Sequence, residues 1–297
     1  MKVYDLILIS QSEVMNYDGY SNLPIDRLDL FSKLVFPRMI YFKSGFRSHL
    51  DLLNFLRDNR FYSESSPKER RDLLNIWNLP GFSGIHIANY LLQFGIHTKV
   101  INNYDSEFDQ LEATYNYSLN QGKSPLVGIS STFYLSYKEI KRISKDLRKI
   151  DFNMEILVGG AFANAETINK DPKGFEQHLR NCQVNYVLHA FNPEEDLKNL
   201  ILNRSEGKPL EQIKNLAYLE TNDFKEGKFH STYSEWHDPV LNETPALWDN
   251  IDLPFLNQTI QMRTVSGCSF SCAFCSYPST AKGLHTTELE LVEKHLQ

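Results

Sequence analysis

The hydrophobic pattern changes period along the chain. Short apolar runs closed by small polar residues alternate with longer stretches whose apolar positions recur every three or four residues. Residues 3–10 (VYDLILIS) form such a run and suit a strand buried on both faces. Residues 85–94 (IHIANYLLQF) carry helical spacing and are stopped by Gly95. Residues 98–101 read as the next strand, ending at Asn102-Asn103. A third strand, 125–131 (PLVGISS), has a small-residue tip. The stretch 137–149 is an amphipathic helix with Ile140, Ile143 and Leu147 on one face. Residues 155–160 (EILVGG) and 185–189 (NYVLH) are further strands, and a helix follows over 195–202.

This order predicts an α/β fold, a doubly wound parallel sheet of Rossmann-like type. Ligands of such sheets lie beyond the carboxyl ends of the strands, near the topological switch point. The candidate ends are Ser10-Gln11-Ser12, Ser130-Ser131-Thr132, Gly159-Gly160-Ala161 and His189-Ala190-Phe191. Their small and polar side chains let backbone approach a ligand closely. No G-x-G-x-x-G follows the first strand, which argues against a dinucleotide site of the usual kind.

The sequence divides into three parts. Residues 1–202 hold the sheet domain, interrupted at 11–78 by an insertion with an amphipathic helix near Arg47–Leu56. Residues 203–258 read as a linker with a hairpin, strands at 217–220 and 229–232 around the polar turn 222–228, then Pro239, Pro245 and Pro254. Residues 259–265 (TIQMRTV) alternate and read as a strand that delivers a cysteine-rich loop. A helix over 287–297 follows, with Thr286 or Thr287 as N-cap and Glu288 and Glu290 in its first turn.

Charge and cysteine usage narrow the function classes. The 297 residues carry a formal net charge of -6, which argues against a nucleic-acid partner. Lys138, Lys141, Arg142, Lys145, Arg148 and Lys149 recur at helical spacing and read as a solvated helix face. With 4 Cys, no apolar run of membrane length and no signal peptide ahead of the first strand, a reduced cytoplasmic protein without a membrane partner is expected. Cys182 reads as a buried or idle thiol.

The other three cysteines carry the chemistry. Cys268, Cys272 and Cys275 are spaced C-x3-C-x2-C, with Phe274 directly before the last. Electron-transfer clusters and structural zinc sites each take a closed set of four ligands. Three thiolates on one short loop can hold three irons of a cubane and leave the fourth open to a small molecule. A zinc knuckle would need a fourth ligand, for which His285 is a candidate.

The run Cys268-Ser269-Phe270-Ser271-Cys272-Ala273-Phe274-Cys275 resembles the signature of the radical S-adenosylmethionine (SAM) superfamily, C-x3-C-x-aromatic-C. The resemblance implies a 4Fe-4S cluster on Cys268, Cys272 and Cys275, with SAM on the open iron and Phe274 beside its adenine. It also implies reductive cleavage of SAM to a 5′-deoxyadenosyl radical, with flavodoxin or ferredoxin as electron donor. Segments 79–81, 127–133 and 156–160 resemble the cobalamin-binding domain fused ahead of many such cores. By that likeness a corrin would lie beside Ser130, Ser131, Thr132, Gly159 and Gly160. The D-x-H-x-x-G motif is absent, so His86 and His97 are not expected as cobalt ligands. Family members carry a Gly/Glu-rich run where this chain has 189–195, and Phe191 would project toward the ligand there. The stretch Arg47-Ser48-His49-Leu50-Asp51-Leu52-Leu53-Asn54 resembles the branch that methylates phosphinate phosphorus.

What the resemblance implies is a cobalamin-dependent radical SAM methyltransferase acting on an unreactive carbon or phosphorus of a small molecule or peptide. Only the first β/α unit of its barrel falls within 259–297. A non-catalytic cobalamin-binding or vestigial module is therefore the alternative, and radical rearrangement or cyclisation is a further one. A methylthiotransferase would need three more cysteines in the N-terminal domain, which has only Cys182.

Overall fold

The computed structural model describes residues 2–12, 40–66, 69, 73–74, 81–134, 136–165, 172–244, 262–270, 272, 273, 275, 277 and 281–296. The chain forms two compact units, Glu13–Leu79 and the remainder.

In the larger unit the elements run β1 (Leu6–Gln11), then, after the smaller unit, α2 (Phe82–Leu92), β4 (Thr98–Asn103), α3 (Tyr104–Asn120) and β5 (Leu126–Ser130). There follow α4 (Tyr137–Ile150), β6 (Ile156–Gly159), α5 (Ala161–Ala165), α6 (Pro172–Cys182), β7 (Tyr186–Leu188) and α7 (Glu194–Glu206). The last elements are β8 (Leu216–Leu219), β9 (Phe229–Ser231), β10 (Val265–Gly267), β11 (Leu284–Thr286) and α8 (Leu289–Leu296). The smaller unit holds β2 (Ile40–Phe42), β3 (Gly45–Arg47) and α1 (His49–Asp58).

A seven-stranded sheet has the order β4-β1-β5-β6-β7-β8-β9. Its first five strands are mutually parallel, and β8 and β9 add antiparallel at one edge. Leu6, Leu8, Leu126, Leu157, Tyr186 and Leu188 pack on Tyr90 and Leu91 of α2 and on Leu197, Leu200 and Ile201 of α7. The alternate residues Ile7, Ile9, Val127, Ile129, Ile156 and Val158 are also buried, so both faces are covered. This is the expected doubly wound α/β fold. The chain leaves β1 for β4 on one side and then crosses to β5 on the other, so the switch point lies between β1 and β5.

Three features differ from the sequence reading. Helix α3 was not legible because its buried side includes Thr114 and Ser118 beside Leu111 and Tyr115. Asn103 caps it by accepting from the Asp105 N–H, and Asp105 and Glu107 stand in its first turn. The hairpin read as part of a linker is integral to the central sheet, because β8 pairs with β7 from Leu216↔Leu188 to Tyr218↔Tyr186. The strand expected over 259–265 is observed only from Val265, with 259–261 outside the described residues. It runs to Gly267 and pairs antiparallel with β11. Such local pairing closes a short loop at low entropic cost, so the cysteines sit at a hairpin tip rather than on a strand with parallel neighbours.

Candidate metal and cofactor site

The cysteine loop leaves the sheet-like hairpin at Gly267. That residue has φ +92°, and a Cβ there would collide with the Gly283 carbonyl. Only glycine fits, and its N–H donates to Tyr277 Oη at 3.2 Å. The Cys268 N–H donates to the Gly283 carbonyl at 3.2 Å, and the Cys275 N–H to the Cys272 carbonyl at 3.0 Å. The first bond ties the loop's entry to Gly283 at its exit, and the second closes a turn within the loop. Cys272 and Cys275 are exposed and Cys268 is half-buried. Phe274 lies outside the described residues.

The hairpin ends differently from the sequence reading. Thr287 donates its N–H to the Thr264 carbonyl at 2.8 Å and its hydroxyl to the Arg263 carbonyl at 3.0 Å. Those bonds commit Thr287 to the hairpin, and helix α8 begins only at Leu289. Its first turn keeps Glu290.

Among the described residues, ring contacts and a hydrogen bond join the hairpin and its flank to the sheet body. Tyr277 meets Phe191 of the β7–α7 loop edge to face, with ring centroids 5.4 Å apart. Trp236 meets His285 at 5.8 Å, with Lys282 over its ring at 5.3 Å. Asn242 Oδ1 accepts the Glu288 N–H at 2.8 Å. The connector carrying Trp236 is itself anchored, since His237 Nε2 lies 3.1 Å from Asp196 Oδ2 and Asn192 Nδ2 donates to the His237 carbonyl at 2.7 Å. Burial pushes the Asp196 carboxyl up, against the opposing pull of Asn215 and His237. Sequence reasoning missed Tyr277, Trp236 and the glycine pair; Gly267 next to Cys268 was the one local signal.

At the carboxyl ends of the sheet the expected cofactor residues come together but play unequal parts. Ser131 is fully buried; its hydroxyl donates to the Gly159 carbonyl at 2.7 Å and accepts the Ala163 N–H at 3.1 Å. It locks the tips of β5 and β6 together. Ser130 and Thr132 share a hydroxyl contact of 3.1 Å, and Thr132 is exposed. Gly159 and Gly160 are half-exposed. Gly160 has φ +103°, and a Cβ there would come 3.0 Å from Ser131 N, Thr132 N and Thr132 Oγ1. A Cβ on Gly159 would meet only the Leu188 carbonyl, at 3.8 Å. The open, small-residue surface at these tips is therefore Ser130, Thr132, Gly159 and Gly160.

The switch-point side is a closed polar network. Ser12 Oγ lies 3.0 Å from Tyr134 Oη and 3.1 Å from Glu139 Oε1. His189, at the end of β7, is buried; its Nδ1 is 3.5 Å from Ser234 Oγ and its Nε2 has no hydrogen-bond partner among the described residues. Desolvation pulls its pKa down, so the ring is neutral near pH 7. His86 is buried in α2 with Nε2 3.3 Å from Glu194 Oε1, so it faces another helix. Cys182 is buried, and burial pushes its thiol up to about 11, which makes it unreactive. Phe191, expected to project toward a ligand, instead packs on Tyr277.

Among the described residues, no three His, Cys, Asp or Glu converge as metal ligands, and His285 does not complete a zinc set. The donor chemistry still suits a cluster. Three thiols share one loop, and two of them face solvent.

No family model matches the chain, and no curated protein sequence matches it. Among solved structures it is similar to the radical S-adenosylmethionine methyltransferase TsrM from Kitasatospora setae, with cobalamin and a 4Fe-4S cluster bound. The identity is 16%, the TM-score 0.46, and the match covers 73% of this chain and 43% of that one. It is also similar to the cobalamin-dependent S-adenosylmethionine radical enzyme OxsB, with aqua-cobalamin and S-adenosylmethionine bound. There the identity is 16%, the TM-score 0.47, and the match covers 75% of this chain and 28% of that one. The chain thus spans less than half the length of either structure. Among the described residues, no helix is long and apolar enough to cross a membrane.

Proposed function

We propose that this chain holds a 4Fe-4S cluster on Cys268, Cys272 and Cys275, with SAM at the open iron, and cobalamin at the strand ends. The reaction class is methyl transfer to an unreactive carbon or phosphorus. The observation that carries this reading is three thiols on one short loop, two of them exposed, whose entry at Cys268 is tied to Gly283 by a backbone hydrogen bond. Three ligands without a fourth leave one metal corner for a small molecule.

When bound, the cluster would supply the electron that cleaves SAM, and cobalamin would carry the methyl group. The chain's own part is to bind and orient. Gly267 and Gly283 set the loop's entry and exit. Ser131 fixes the β5 and β6 tips, so that Gly159 and Gly160 present a surface without side chains to a flat ligand. A corrin needs such close backbone approach, and the open hydroxyls of Ser130 and Thr132 can meet its carboxamides.

Anaerobic reconstitution with iron and sulfide tests the cluster. The wild type should gain a broad absorbance in the visible blue, and Cys272→Ala should lose it. Hydroxocobalamin retention after gel filtration tests the second site. Gly159→Val is the variant of choice there. A side chain at 159 meets only an ordinary contact, whereas one at 160 strains a left-handed backbone. Wild type should retain corrin and Gly159→Val should not, with circular dichroism unchanged. Folded wild type that takes up no iron would overturn the radical SAM reading.

A further inference from the structure

We propose that Tyr277 and Phe191 form an aromatic clasp that positions the cysteine loop against the carboxyl edge of the sheet, beside β7. The inference rests on the cluster reading for its purpose, but its geometry stands apart from any bound group. Tyr277 is two residues beyond Cys275, and its hydroxyl accepts the N–H of Gly267, the residue before Cys268. One side chain therefore touches both ends of the thiol-bearing segment. Its ring then rests edge to face on Phe191. Phe191 is in turn held by its neighbours: Asn192 is buried and bonded to the His237 carbonyl, and helix α7 begins two residues later, at Glu194.

The hairpin contacts at His285 and Glu288 lie on β11 and at the start of α8. They orient the hairpin stem. The clasp joins the cysteine segment itself to the sheet body, so it helps set where the three thiols stand relative to the strand ends. Phe191 thereby trades the ligand contact expected at that loop for a positioning contact.

The test reads the thiols directly in the folded apo protein. Iodoacetamide labelling is followed by mass spectrometry at each cysteine. Cys182, buried in the sheet body, reports global opening, and Cys268, Cys272 and Cys275 report the loop. Phe191→Leu and Tyr277→Leu should each speed labelling of half-buried Cys268 about three- to tenfold, the range that an edge-to-face ring pair sustains, with already exposed Cys272 and Cys275 as references. Cys182 should be unchanged. The double variant should be no faster than Tyr277→Leu, which loses both the ring contact and the bond to the Gly267 N–H, whereas Phe191→Leu loses the ring contact alone. Phe191→Tyr should restore the wild-type rate, and Tyr277→Phe should fall between. Cys268 labelling unchanged in both Leu variants, additive effects, or Cys182 accelerating in step would each overturn the clasp. A wild type that binds no iron would instead defeat the cluster reading and leave the labelling result standing. In reconstituted protein, the Leu variants should also lose the cluster chromophore faster in air than wild type.

Discussion

The central sheet and the cysteine hairpin belong to one compact unit, yet different physics holds each. The sheet is cemented by burial: Leu6, Ile7, Leu126 and Leu216 have no exposed surface, and helices cover both faces. The hairpin has three residues per strand, and Val265, Phe270, Tyr277 and Leu284 are all exposed. Its shape comes from backbone bonds, two left-handed glycines and a few ring contacts. The candidate chemistry lies on the weaker part and at its junction with the stronger one. Low local stability is common where a site must admit a ligand.

The contrast breaks first at the core. Leu126→Ala should cost about 3 kcal/mol through the cavity it leaves, seen as a lower denaturant midpoint. Leu284→Ala on the hairpin should cost below about 0.5 kcal/mol. Equal shifts would mean that the two regions melt as one.

The next effect is electrostatic. Glu155 pairs with Arg204 and accepts from Tyr186 at the amino edge of the sheet. Burial would raise its carboxyl, but the bond and charge of Arg204 outweigh that and hold it below the ordinary range. A depressed folded pKa stabilises above the unfolded value near 4.5, and that contribution is lost as pH falls through the folded value. Glu155→Gln should cost about 2 kcal/mol at pH 7. It should also flatten the decline of wild-type stability between pH 5 and lower pH, roughly the window of a carboxylate. Acid melts of both proteins check this.

Smaller still, Ser131→Ala should cost about 1 to 2 kcal/mol by leaving the Ala163 N–H without its acceptor, while the Gly159 carbonyl keeps the Ser131 N–H. If corrin retention fell without loss of stability, Ser131 would be a ligand contact rather than a lock. The least global effect is expected of Gly267→Ala. Its melting point should match wild type, while the loop thiols label faster because a Cβ cannot fit against Gly283. A large drop in melting temperature would show the hairpin to be part of the cooperative core.

The same division governs what the sequence revealed. Helix α4 was legible to the residue at its start, because Ile140, Ile143 and Leu147 are the side chains it buries. Helix α1 has a similar alternation, but it buries Asp51 and Asn54 and leaves Leu53 and Leu56 exposed. Specific bonds decide this: Asp51 completes a capping box with Ser48 and accepts the Ser63 N–H, and Asn54 bonds to the backbone of Leu50 and Leu74. Periodicity cannot foresee such partners. Cys268, Cys272 and Cys275 were visible as spacing alone. What holds them, Tyr277 against Phe191, joins residues 86 positions apart, and no local pattern encodes it.

The two antiparallel strands at the sheet edge carry one more consequence, a matter of parity. A parallel strand ends at the carboxyl edge, and each antiparallel step sends the chain to the opposite edge. Here β8 starts level with the end of β7 and descends, and β9 climbs back, with the Thr232 N–H bonded to the Leu216 carbonyl. Two reversals cancel. The chain therefore departs from the same rim as β1, β5 and β6, beside His189. One reversal, or three, would have launched the connector from the far rim, a full strand length from the glycine tips. The even count returns the connector to the rim that carries Gly159 and Gly160.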